Sequence, residues 1–176
     1  MVRGLMLALA LLQQPEKQDT LQFSIDNSFI QHLNGIADTA TIEYVRCLLG
    51  GMRNDTTVIT AVFAPAVRRA SRFSAVTAAC PALVTVGTWH NHLAIELVVK
   101  NGDTTTVALP PRMACYLSEM DVRNILEVDI PRGVTITVVQ VDRNTVCWWL
   151  TSQVKELIGS GGIRYLKPVR GQVSWN

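Results

Sequence analysis

The step Asn101-Gly102-Asp103 limits most strongly what this chain can fold into. It separates two β-forming runs, Ile95–Val99 and Thr104–Leu109. Residues that tolerate a positive φ are what a tight antiparallel turn demands. The pattern recurs: Ile42–Leu49, ended by Gly50-Gly51, and Thr56–Phe63 flank Asn54-Asp55, and Val134–Val141 and Thr145–Leu150 flank Asp142-Arg143-Asn144. Three hairpins make a sheet the organising element. Leu21–Ile25 and Leu83–His92 read as further strands. Helices are predicted where Asp26 or Asn27 caps Phe29, Ile30, Leu33 and Ile36 at helical spacing, over Ser118–Val128 before Pro131, and over Ser152–Ile158. The expected class is α+β, a central mixed β-sheet flanked by helices.

With 48 % hydrophobic and 17 % charged residues, the 176-residue chain has enough apolar side chains for one sizeable core. A net charge of +2 gives no electrostatic footprint for nucleic acid and makes an anionic membrane surface an unexpected partner. Cys47, Cys80, Cys115 and Cys147 match no C-x-x-C pattern and are expected to be buried reduced thiols. The expected setting is cytoplasmic. Residues 1–20 form an apolar segment, Leu5–Leu12, and a polar linker. That segment is too short to span a bilayer and lacks a small-x-small cleavage site, so a packed or partner-binding helix is expected over a signal peptide. Pro65–Thr77, with Arg68, Arg69 and Arg72, reads as an irregular solvated loop, and His32 as a surface residue. The tail, 159–176, opens on a Gly-Ser-Gly-Gly joint without the GK[ST] ending of a phosphate loop.

Only three histidines occur, and two of them, His90 and His92, sit one residue apart in a predicted strand. Side chains at i and i+2 share a face, so both imidazoles project together while Trp89 and Asn91 point the other way. Two imidazoles on one face can share a cation, and neutral imidazole is a good zinc ligand. Asp121 can supply a third ligand. It stands three residues after Ser118, in an S-x-x-D arrangement that also reads as a helix cap. A catalytic zinc site further needs a base for its water. Glu43 is the candidate, because it opens an otherwise apolar strand where a carboxylate is costly without a partner.

Together, E-x-x-x-x-L-L-G at 43–50, G-x-x-H-x-H at 87–92 and S-x-x-D at 118–121 resemble the JAMM metalloproteases, also called MPN+ or JAB/Mov34, over roughly 21–150. The resemblance implies a JAB/MPN (cytidine deaminase-like) domain over 21–158. It implies a zinc isopeptidase acting on ubiquitin or a ubiquitin-like protein. It also implies zinc held by His90, His92 and Asp121, Glu43 as general base, and Ser118 as hydrogen-bond donor to the oxyanion. The chain departs from the family in three places. Residues 93–117 form a longer spacer, most of it the hairpin insertion at 94–111, Leu93 replaces the usual proline, and Arg46 stands where glycine is common. None removes a ligand. The contiguous His-Asn-His is not an HNH nuclease motif. The RadC family shares the fold and this tripeptide, but Gly87-Thr88-Trp89 before it, and no Pro-Ser-Gly after it, favour the peptidase branch. The rival readings are an inactive MPN-type scaffold, homo-oligomeric or in a larger complex, and a deaminase-like hydrolase, which the lack of a C-x-x-C ligand pair weakens.

Overall fold

A computed structural model describes residues 22–159 apart from Asp55 and Asn101; the apolar segment, its linker and the tail after Gly159 lie outside the described residues. Six strands form one mixed sheet: β1 (Gln22–Ile25), β2 (Val45–Arg53), β3 (Thr56–Phe63), β6 (Thr85–Asn91), β9 (Ile136–Asp142) and β10 (Thr145–Leu150), in the order β1-β3-β2-β6-β9-β10. β1 is parallel to β3 and β6 to β9, and the other neighbours are antiparallel. The expected α+β architecture is therefore present.

Alternation along the strands gives the sheet two apolar faces. On one lies α1 (Asn27–Thr39), whose Ile30, Leu33 and Ala37 pack with Leu48, Ile59, Trp89, Ile136, Val138 and Trp148. Asp26 caps it, accepting from the Ser28 N–H at 2.8 Å. On the other face Val139 and Trp149 meet Val122 and Ile125, and Val154 of α4 (Thr151–Gly159). Trp89 points toward α1, so His90, its neighbour, points toward the opposite layer. Gly87 is required where β6 crosses Ile136, because a Cβ there would stand 2.5 Å from the Ile136 Cγ1.

The insertion folds as its own hairpin, β7 (Ile95–Lys100) with β8 (Asp103–Ala108), and Gly102 takes φ +88° at its turn. The Leu109 N–H donates to the Ala94 carbonyl at 2.8 Å, so the chain leaves and re-enters the fold at one point.

Three expectations are corrected. The 65–77 segment contains an antiparallel hairpin, β4 (Val67–Ala70) with β5 (Ala75–Thr77), tightened by Ser71, whose hydroxyl accepts from the Phe73 and Ser74 N–H groups. Its strands are too short for an alternation to show in the sequence. All four cysteines are paired: Cys47–Cys80 with Cα atoms 5.6 Å apart, and Cys115–Cys147 at 5.9 Å. In each bridge a strand cysteine, Cys47 of β2 or Cys147 of β10, meets one in a connecting segment distant in sequence, which linear spacing cannot reveal. The helix after Ser118 is also interrupted. Between the short α2 (Pro111–Ala114) and the end of this layer, α3 (Glu119–Asn124) passes into a π turn, Ile125–Asp129, and a 3₁₀ turn, Ile130–Arg132. Pro131 lacks an N–H and crowds the carbonyl four residues earlier, so the helix cannot continue in regular form. Gly133, at φ +77°, ends it.

Candidate metal centre

His90 leaves β6 toward α3, and His92 follows one residue beyond the strand, held by its N–H to the Gln140 carbonyl at 2.9 Å. The two Nε2 atoms are 3.2 Å apart. Asp121 faces both, its Oδ1 3.3 Å from the His90 Nε2 and its Oδ2 3.6 Å from the His92 Nε2. The ligand atoms of the three residues all lie within 4.8 Å of one another. Chain segments some thirty residues apart thus converge on one point.

The capping reading of Ser118 and Asp121 and the metal reading coexist. Ser118 caps α3: the Asp121 N–H donates to its hydroxyl at 3.2 Å, and its own N–H and O–H each donate to Asp121 Oδ2 at 2.7 Å. One carboxylate oxygen serves the cap while Oδ1 stays turned to His90. The Ser118 hydroxyl proton is directed at Asp121.

The donor set fits a divalent metal such as zinc. The His92 Nδ1 lies 2.9 Å from the Ala114 carbonyl oxygen, so Nδ1–H is the donor in the neutral ring and the Nε2 lone pair faces the other ligands. Burial works against the imidazolium of His90, but the Asp121 carboxylate and its hydrogen bond more than offset this and raise the His90 pKa. Burial likewise works against the Asp121 carboxylate, yet His90 and His92 hold its pKa far below the usual range. Three ligands with this polarity favour a cation at their centre.

Glu43 stands just before β2 and is buried at 8 % exposure. It lines the same cavity of about 240 Å³ as His90, Ser118 and Asp121. Burial raises its pKa, with His90 pulling the other way. Arg46, where the resemblance leads one to expect glycine, turns aside: its guanidinium bonds the Val45 carbonyl and lies over the Tyr44 ring. The β4–β5 hairpin forms part of the cavity wall through Arg69, Phe73 and Ala75, although Arg68, Arg69 and Arg72 are all exposed. His32 is exposed as expected.

Sequence reasoning passed over two residues at this site. Asp129, at 3 % exposure, lines the floor of the cavity, and its Oδ2 accepts from the Thr88 hydroxyl at 3.3 Å. Burial pushes its pKa up to about 6. Its inward turn follows from the π turn, for which the sequence offers only Pro131 as a signal. The other is Asn91, fully buried between the two histidines.

No family model matches the chain, and no curated protein matches it. Among solved structures it is similar to a JAB1/MPN domain protein from Archaeoglobus fulgidus, with a TM-score of 0.43, 13 % identity, and coverage of 73 % of this chain and 90 % of that one.

Proposed function

We propose that this chain is a zinc-dependent metallopeptidase of the JAMM type, with a JAB/MPN domain that hydrolyses an amide bond at the C-terminus of ubiquitin or a ubiquitin-like protein. The observation that carries the reading is the set of two imidazole nitrogens and one carboxylate oxygen gathered at one point, with Glu43 lining the cavity that His90 and Asp121 also line. Three protein ligands with a fourth side left to the cavity is the donor count of a catalytic rather than a structural zinc site.

Zinc held by His90, His92 and Asp121 would supply a Lewis acid that polarises the amide carbonyl and lowers the pKa of water toward about 7. Glu43 accepts the attacking water's proton on its carboxylate and returns it to the departing amine nitrogen. Burial suits it to this exchange, since a raised pKa makes the carboxylate a better base. Ser118 holds Asp121 through the cap, and its hydroxyl turns from Asp121 Oδ2 to the developing oxyanion as the carbonyl is attacked. The His92 ring is fixed by the Ala114 carbonyl, so its ligand nitrogen needs no reorganisation.

The test is to measure the zinc content of the purified chain and its cleavage of ubiquitin-like fusions, beside the Glu43→Gln variant. About one zinc per chain in both proteins, with cleavage only in the parent, is expected. Unchanged cleavage in Glu43→Gln overturns the assignment of the base. A chain that takes up no zinc under replete conditions is the scaffold and not the enzyme.

A further inference from the structure

We propose that Asn91 is a positioning residue for Glu43. Its carboxamide grips the peptide groups on both sides of the carboxylate and fixes that carboxylate relative to the metal ligands. The inference rests on the reading of Glu43 as general base.

Residues 42–44 precede β2, which begins at Val45, so the regular ladder does not hold them. Asn91 is the last residue of β6, and Val45 pairs with His90 beside it. Beyond that pair the Asn91 side chain does what a continuing strand would have done. Its Oδ1 accepts from the Tyr44 N–H at 2.7 Å, and its Nδ2 donates to the Ile42 carbonyl at 3.2 Å. Its backbone N–H reaches the Tyr44 carbonyl at 3.3 Å, and the Glu43 N–H is held separately by the Ser71 carbonyl at 2.7 Å. Every one of these contacts falls on the three residues centred on Glu43.

The chemistry explains why asparagine stands here. Matching a peptide N–H and a peptide C=O together takes one acceptor and one donor a short, fixed distance apart. An aspartate offers acceptors alone, a serine a single oxygen, and a glutamine one more methylene. Asn91 is fully buried, so water cannot replace its bonds. Its neighbours on both sides, His90 and His92, project to the opposite face as ligands. One tripeptide therefore sets two candidate metal ligands with its outer positions and the backbone of the base with its middle one, while Ser71 and Ala75 of the β4–β5 hairpin hold the Glu43 N–H and carboxylate from the other side. A displacement of about 1 Å in such an arrangement is enough to cost about 10²-fold in rate.

The experiment compares the parent with Asn91→Ala, Asn91→Ser, Asn91→Asp and Glu43→Gln, each loaded with cobalt. Visible absorption of the bound cobalt senses the group that faces its open position. The Tyr44 amide-exchange rate reports the bond to Asn91 directly. Glu43→Gln is expected to shift the spectrum, and Asn91→Ala and Asn91→Ser to shift it the same way with unchanged cobalt stoichiometry and faster Tyr44 exchange. Asn91→Asp, which keeps the acceptor to Tyr44 and loses the donor to Ile42, is expected to fall between them and the parent. On a ubiquitin coumarylamide probe, Asn91→Ala is expected to lower kcat about 10²-fold with KM unchanged. If Glu43→Gln shifts the spectrum and the folded Asn91 variants do not, the positioning role is overturned and the base assignment survives. If Glu43→Gln itself leaves the spectrum unmoved, or no cobalt binds, both fall together. Asn91→Ser and Asn91→Asp decide the matter should Asn91→Ala not fold.

Discussion

Replacing Asp129 by asparagine should improve the stability of the metal-free protein, relative to the parent, more at pH 8 than at pH 4. Asp129 is almost fully buried, and burial carries its pKa from the ordinary 3.8 up to about 6. Below about pH 3.8 the folded and unfolded chains both hold the proton, and the carboxyl contributes no pH-dependent cost. Above about pH 6 the folded chain must keep a buried anion that the unfolded chain solvates freely. The raised pKa therefore means stability lost as pH rises from about 3.8 to about 6, by about 3 kcal/mol in total. An asparagine has nearly the same shape, and its carbonyl oxygen can accept from Thr88 as the carboxylate does. Its NH₂ group is newly buried, which costs about 1–3 kcal/mol at every pH if it finds no partner. The diagnostic is thus the difference between two pH values, in which that constant cost cancels. Urea unfolding of metal-stripped, unreduced parent and Asp129→Asn is the assay, at pH 4 and pH 8. The variant's stability relative to the parent should improve by about 2–3 kcal/mol from the first to the second. Equal relative stability at both would refute the claim that Asp129 titrates from a buried position.

Zinc affinity, measured by competition with a chelator, should weaken as pH falls through the His90 range, because the raised pKa of that imidazole lets a proton compete with the metal. Ser118→Ala removes the cap and one of the groups orienting Asp121, so helix stability should drop by about 1 kcal/mol and zinc affinity by about 10–100-fold, seen in thermal melts and titration calorimetry. Gly87→Ala forces a Cβ against Ile136 and should cost about 1–3 kcal/mol in urea unfolding. Denatured, unreduced protein should expose no free thiol to a colorimetric reagent, and reduction of both bridges should lower stability by about 3–4 kcal/mol for each.

Local chemistry made part of this legible in advance. The turns marked by Asn54 and Gly102, the Asp26 cap and the alternation around His90 each act over a few residues. The strands and α1 accordingly fall close to where the sequence puts them. The convergence of His90, His92 and Asp121 was also readable, since two of these candidate ligands share a strand face and the third belongs to a recognisable cap. What escaped depends on neighbours remote in sequence. Cys47 meets Cys80 only because the chain folds back beside β2, and Asp129 turns inward only because the helix widens before Pro131. Asn91 looked like the residue between two ligands. Its bonds to Ile42 and Tyr44 exist only once β2 lies beside β6.

The Cys115–Cys147 bridge joins Ala114 and Ser118 to the sheet by a covalent tether, since Cys115 adjoins the carbonyl that orients His92 and precedes the serine that holds Asp121. Two of the three candidate ligands, His92 and Asp121, are thereby moored to β10 through one sulfur–sulfur link. Reducing that bridge would cut the covalent link, and preparations made with and without a thiol reagent are expected to differ in how firmly the three side chains hold an added cation.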